Sequence, residues 1–189
     1  MHMNKKTSYQ RLSTTRGLSV LEMMIVLAAI GVVVLVAVPG SNLFIDKYRM
    51  KVASASIITG LELARSEASA RSGTVVLCPS SNGHTCRSDS DWSFGWLVFS
   101  DGNGNGTVQD IELIKAFGAP SQKIHIKADG AVQNRAAFTA TGLNPDNNAQ
   151  SGQFQICPQD SEKTATLVTV DPDGWVQKIP TRNSHCPAG

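Results

Sequence analysis

The sequence predicts an α+β chain, with one long N-terminal helix followed by a β-rich domain of antiparallel strands. Three observations carry this. The 21 residues from Leu18 to Val38 are apolar or small except Ser19 and Glu22. Helical periodicity then continues to Gly73. Beyond Gly73 the pattern changes to period two, in short segments divided by Gly, Asn, Asp and Pro. Strands that follow a single helix favour a helix laid over an antiparallel sheet.

The first 17 residues hold Lys5, Lys6, Arg11 and Arg16 and no acid. At about 1.5 Å per residue the run after them spans roughly 31 Å, the thickness of a bilayer's hydrocarbon core. It exceeds the roughly 7–15 residues of a secretory signal core, and Pro39-Gly40 follows it where a cleavage site would stand. Residues 18–38 are therefore expected to span a membrane, with the basic N-terminus in the cytoplasm and the body outside it. Glu22 is the anomaly. A carboxylate in such a run costs roughly 2.5–3.5 kcal/mol on insertion scales and marks a function with a partner.

Residues 39–73 read as an amphipathic continuation. Pro39 is expected to kink the helix rather than end it. Phe44, Tyr48, Val52, Ala55, Ile58, Leu61, Ala64 and Ala68 form the stripe expected to face a core, with Lys47, Arg49, Lys51, Glu62 and Glu67 mostly off it. Glu67 and Arg71 are placed as an i,i+4 ion pair, and Gly73 is the expected stop. Residues 74–189 are the β-rich body. Its strand candidates are TVVLCP, FGWLVFS, IELIKAF, QKIHIKA, AAFTATG, GQFQICP, ATLVTVD and GWVQKIP, and 144–152 is the most loop-like stretch.

The 189 residues leave room for one domain and an appendage, and the formal charge is +2. Without residues 1–17 the charge would be −2, and a mildly acidic body gives no general reason to expect nucleic acid. Cys78, Cys86, Cys157 and Cys186 form an even set, which suits disulfides in an oxidising compartment. Zinc is the alternative, against which stands the lack of close-paired spacing. Residues 101–112, DGNGNGTVQDIE, satisfy a calcium-loop pattern at Asp101, Asn103, Asn105, Gly106 and Glu112. Their flanks read as strands where an EF-hand needs helices. Alternating Gly and Asn are also what a hairpin turn demands, so a hairpin is the reading adopted and calcium the alternative. No nucleophile sits beside a base in a known motif, His2, His84, His125 and His185 are scattered, and no enzyme activity or cofactor is expected.

The segment RGLSVLEMMIVLAAIGVVVLVAVPG resembles the class III signal of type IV pilins and type II secretion pseudopilins. A basic leader ends in Gly17, a hydrophobic Leu18 follows where the family more often has Phe, Glu22 comes four residues on, and the apolar helix runs to Pro39. The body, with Ala64 to Ala68, Cys78-Pro79 and the Trp-x-x-Gly-Trp of Trp92, Gly95 and Trp96, resembles the GspH/FimT family of minor pilins and pseudopilins. The likeness runs from the leader to about Phe117 and is looser afterwards. It implies the type IV pilin fold, cleavage after Gly17 by a prepilin peptidase, and N-methylation of Leu18. Glu22 would neutralise the amine of a neighbouring subunit, which removes the cost of a lone buried charge and sets the assembly register. Ala64, Ala68 and Ala70 would let a sheet sit close to the helix, while Trp96 and Val98 would point into the core and Gly95 leave space on the other face.

The expected partners are other major and minor pilins or pseudopilins, the peptidase and the inner membrane. The chain would cross that membrane once before assembly and then lie in a fibre at the periplasm or cell surface. The expected function is that of a minor pilin of a type IV pilus, near its tip in the priming complex, with a type II secretion pseudopilin, or a DNA-binding minor pilin for DNA uptake in natural transformation, as the alternatives. The expected disulfides are Cys78–Cys86 and Cys157–Cys186, the second pinning the C-terminal tail to a strand. Some family members bind DNA through a Gly-Arg-x-Arg motif. Here the matching place reads Gly174-Trp175-Val176-Gln177, without either arginine. Lys123, Lys127, Lys178 and Arg182 remain as possible phosphate contacts, with His125 and His185 beside them. Four such contacts would lower affinity roughly a hundredfold between 50 and 200 mM salt. DNA binding is not the favoured reading.

Overall fold

The computed structural model describes residues 17, 19–141, 151–159, 165–180 and 186, with the backbone alone for 35–43 and 180. The leader 1–16, Leu18, most of the loop-like 144–152 stretch, Arg182 and His185 lie outside the described residues. The chain divides into two compact units, Met1–Asn42 and Leu43–Gly189.

Helix α1 covers Val20–Arg71 and takes Pro39 into its span. In the first unit every described helix side chain from Val20 to Val34 is exposed. Among the described residues no helix is long and apolar enough to cross a membrane. The 18–38 span read from the sequence includes Leu18 and the side chains of 35–38, which are not among them.

In the second unit the buried positions of α1 are Ala53, Ser54, Ile57, Gly60, Leu61, Ala64 and Ala68. This corrects the expected stripe. Phe44 and Tyr48 are 74% and 62% exposed, and Val52 and Ala55 are exposed with them. At about 100° per residue those four lie within one arc, nearly opposite the buried one, so the stripe had joined two faces. The face that packs mixes Ile57 and Leu61 with small residues, which hydrophobicity weighs lightly. Ala70 is also exposed, whereas Ala64 and Ala68 make the expected close contact. The helix stops one residue earlier than expected. Ser72 takes a left-handed conformation at φ 51°, Gly73 N–H donates to the Ala68 carbonyl (3.2 Å), and Ser72 N–H donates to that of Ser69 (3.4 Å). These are the two bonds of a Schellman cap, with serine where glycine is usual.

Each of the eight expected segments carries a strand, with β3 and β4 running one and two residues past theirs: β1 Val75–Pro79, β2 Gly95–Ser100, β3 Leu113–Gly118, β4 Ile124–Gly130, β5 Ala136–Phe138, β6 Gly152–Pro158, β7 Thr166–Val170 and β8 Val176–Pro180. They form two four-stranded antiparallel sheets rather than one, in the orders β3-β2-β1-β5 and β4-β6-β7-β8. One core joins them to α1. Ala53, Ile57, Leu61, Ala64 and Ala68 cluster with Leu77, Trp96 and Val98 of the first sheet and with Ile126, Phe154 and Val168 of the second. Trp92 ties the sheets together: its N–H donates to Ile126 O (2.8 Å), its Nε1 donates to Gln133 O (3.1 Å), and its ring meets Phe154 edge-on at 4.9 Å. A second cluster, Val76, Cys78, Leu97, Phe99 and Ala137, covers the outer face of the first sheet under Cys86, Val108 and Leu113. β1 is consequently buried along its whole length, and β2 to its last residue.

Two glycines set the packing. A Cβ on Gly60 would stand 2.9 Å from Nε1 of Trp96 and 3.3 Å from Leu77, so the helix approaches the indole only because this side chain is missing. Gly95 has φ 115°, and a Cβ there would meet Phe117 O at 2.4 Å. Its missing side chain both permits this backbone conformation and leaves the room that the neighbouring strand's backbone fills.

Two substitutions, one on α1 and one just past its end, should act with opposite signs. Gly60→Ala would gain about 1 kcal/mol of helix propensity, but overpacking against Trp96 costs about 1–3 kcal/mol, and a net loss is expected. Ser72→Gly relieves a left-handed serine and should stabilise by about 1 kcal/mol. Thermal melts of the two variants beside the parent check both signs.

Candidate assembly and binding sites

Ser19 precedes α1, and its carbonyl accepts the N–H groups of Glu22 (3.0 Å) and Met23 (3.1 Å). Ser19-Val20-Leu21-Glu22 thus has the spacing of a capping box, with Glu22 in the first turn, where the helix dipole favours an acid. Glu22 is exposed, and among the described residues no cation pairs with it. Gly17 is exposed, with open space where a side chain would begin.

Both expected disulfides are formed. Cys78–Cys86, Cα atoms 5.6 Å apart, draws the segment after β1 over the first sheet's outer face. In that segment Asn82 Oδ1 accepts the N–H groups of His84 and Thr85, each at 2.9 Å. Arg87 lies over the Phe94 ring and pairs with Asp89, whose carboxyl that hydrogen bond holds below its usual range. Cys157–Cys186, Cα atoms 5.8 Å apart, is buried with Ala165. Cys157 lies opposite His125, so the bridge fixes the chain's end to the outer face of the second sheet.

The expected cationic strip is divided by this sheet. Ile124 and Ile126 are buried, while Lys123, His125 and Lys127 are exposed, as the alternation implied. Lys127 faces outward beside Gln155. Lys178 pairs with Val168, and Val168 with the core residue Phe154, so Lys178 belongs to the opposite, helix-side face. Its Nζ donates to Ser54 Oγ of α1 at 2.7 Å. A second tie lies nearby, where Arg65 of α1 sits 4.3 Å from the Trp175 ring centroid. Neither tie had a local sequence signal, because each joins residues more than a hundred positions apart. Trp175, which stands where the family's first arginine would be, is engaged by a helix cation instead.

Asp101 to Glu112 form the whole connection between β2 and β3, which pair antiparallel as the hairpin reading required. Among the described residues no group of three or more His, Cys, Asp or Glu could hold a metal.

A long N-terminal helix with an acid in its first turn and its C-terminal part packed by antiparallel sheets is the architecture of pilin-type fibre subunits. The comparisons agree. The family model for type II transport protein GspH matches residues 53–174, and the chain belongs to that family. Two crystal structures of the type IV minor pilin FimU from Pseudomonas aeruginosa are similar. One has TM-score 0.54 at 17% identity, covering 72% of this chain and 97% of that one. The other has TM-score 0.57 at 18% identity, covering 76% and 97%. At these identities the likeness is one of fold. No curated protein matches the sequence.

The divided cations predict weak DNA binding. Lys123 and Lys127 on the outer face allow about two phosphate contacts, for which affinity falls only about tenfold between 50 and 200 mM salt. Fluorescence anisotropy with duplex DNA across that range should give this shallow slope, and Lys178→Ala should leave it unchanged.

Proposed function

We propose that the chain is a minor subunit of a type IV pilus, built into the fibre near its tip as part of the complex that primes assembly. The observation that carries this reading is Glu22, a solitary acid held at the cap of a helix whose described apolar side chains, through Val34, are all uncovered by the rest of the chain. Cleavage after Gly17 would place the new amine of Leu18, then methylated, beside that acid's end of the helix. In a stack of staggered helices, Glu22 of one subunit neutralises the amine of another, and the exposed apolar side chains are covered first by lipid and then by neighbouring helices. Before assembly the subunit crosses the inner membrane once, its leader in the cytoplasm. Its disulfides suit the oxidising side, where the second unit then lies. The protein has a structural part rather than a catalytic one, and its partners are other pilins and the prepilin peptidase.

A second reading rests on the description of the family model, type II transport. The same subunit would then join a secretion pseudopilus. Co-purification distinguishes the two, since sheared pili and secretion complexes carry different major subunits.

Glu22→Ala should insert in the membrane at least as well as the parent, because a charge is removed from the apolar run. Its recovery in sheared fibres should nevertheless fall at least about tenfold, since even 1.4 kcal/mol lost per contact is tenfold. Immunoblots of sheared and membrane fractions measure both. Normal recovery in the fibre would refute the charge-pairing account. Intact mass should show loss of residues 1–17 and a methyl group on Leu18.

A further inference from the structure

The link between β2 and β3 is longer than its turn requires. The strands pair antiparallel up to Phe99 opposite Leu113, yet twelve residues, Asp101 to Glu112, join them. Two to five residues suffice for a hairpin, and loops of this length in small domains are usually functional. The extra length is held in place. Ser100 N–H donates to Glu112 O at 2.9 Å and closes the base, while Val108 packs on the outer cluster of the first sheet. Gly104 and Gly106 take φ 69° and 68° to turn the chain.

Asp101 is the residue left unexplained. It is 8% exposed, and its Oδ2 accepts the Gly106 N–H at 3.1 Å, which directs the carboxylate into the loop. Its Oδ1 is buried and, among the described residues, has no hydrogen-bond partner. An unpaired buried carboxylate oxygen is costly to keep. The loop adds Asp110 and Glu112 and contains no Lys or Arg of its own. Arg135 is the neighbouring cation. Its Nη1 lies 3.1 Å from where a Cβ on Gly106 would stand.

The geometry points to a calcium site in this loop, with Asp101 Oδ1 as its anchor and Asn103, Asn105 and Glu112 as further oxygen donors. These residues stand at positions 1, 3, 5 and 12 of the twelve, with a left-handed glycine at 6, the spacing by which a single loop wraps a calcium ion. Positions 3 and 12 are already in contact, because Asn103 Nδ2 donates to Glu112 Oε1 at 3.1 Å. Asn103 Oδ1 accepts the Asn105 N–H at 3.0 Å, and its second lone pair is the oxygen donor it would offer the ion. All the donors are oxygen. With two carboxylates and amides for the rest, the set suits a hard cation bound weakly, in the roughly 0.1–1 mM range of extracellular modules, and falls short of the charge that tight sites carry. Strands flank the loop instead of helices, so the ion would staple the hairpin and not swing one element against another.

The test uses the full chain in detergent, stripped with chelator and titrated with calcium chloride by calorimetry, with magnesium chloride in parallel. One calcium ion per chain is expected, with magnesium binding at least about tenfold weaker because it demands near-ideal octahedral geometry. At about 10 mM calcium the melting temperature should rise by about 3–10 °C. Glu112→Gln should weaken calcium binding at least about tenfold, and Asp101→Asn should abolish it. Asp101 also accepts the Gly106 bond, so Asp101→Asn is accompanied by a melt in chelator. If that variant does not fold, Glu112→Gln at the partly exposed end of the loop decides. Absence of both heat and a melting shift at about 10 mM calcium would overturn the site. So would equal binding of magnesium, or calcium binding that survives Glu112→Gln.

Discussion

The close approach of α1 to the two sheets is the contact on which the rest of the second unit depends. A helix packs at about 8–10 Å from its neighbours according to the side chains between them, and here those are Ala53, Gly60, Ala64 and Ala68. Because they are small, Trp96 and Leu77 reach the helix surface, and Phe154 and Val168 of the other sheet join the same cluster. The core is therefore formed by large residues of the sheets around Ile57 and Leu61 of the helix, between its small positions. The helix face left outside carries Phe44, Tyr48 and Val52, apolar residues that the core does not use.

That arrangement explains what was legible in the sequence. Strand positions follow from period two and from the turn residues between them, so all eight segments are found where alternation and Gly, Asn and Pro placed them. The buried face of α1 was legible only in part: Leu61, Ala64 and Ala68 were placed on it, but the criterion of large apolar residues also selected Phe44 and Tyr48 and passed over Ala53 and Gly60. The partition into two sheets was hidden too. It depends on long-range pairings such as Val75 with Phe138 and on Trp92, whose backbone and ring both cross between sheets. Of the candidate sites, Glu22 could be read directly, since one acid in an apolar run stands out. The fate of Lys178 could not be read, because it depends on the register of β7 and β8 and on Ser54, 124 residues away.

The two disulfides serve different surfaces. Cys78–Cys86 helps roof the outer face of the first sheet, where the second cluster gives β1 and β2 apolar neighbours on both sides. Such strands lose the alternating pattern of a solvated face, which is why VVLCP and GWLVF read as nearly continuous apolar runs. Cys157–Cys186 adds little apolar surface, with only Ala165 beside it. Its effect is to keep the end of the chain against β6.

The pairing of Lys178 has a consequence for descent within the family. A strand's side chains alternate between faces, so a register shift of one residue exchanges the two sets completely. One inserted residue in the turn before β8 would turn Lys178 away from Ser54 and onto the surface that carries His125 and Lys127, while sending a neighbour inward. The charge on that surface would rise without any added charged residue. A face of one chemical character in this chain and another in a relative can therefore differ by a single codon in a turn, and alignments that place gaps freely between Val170 and Val176 would conceal it.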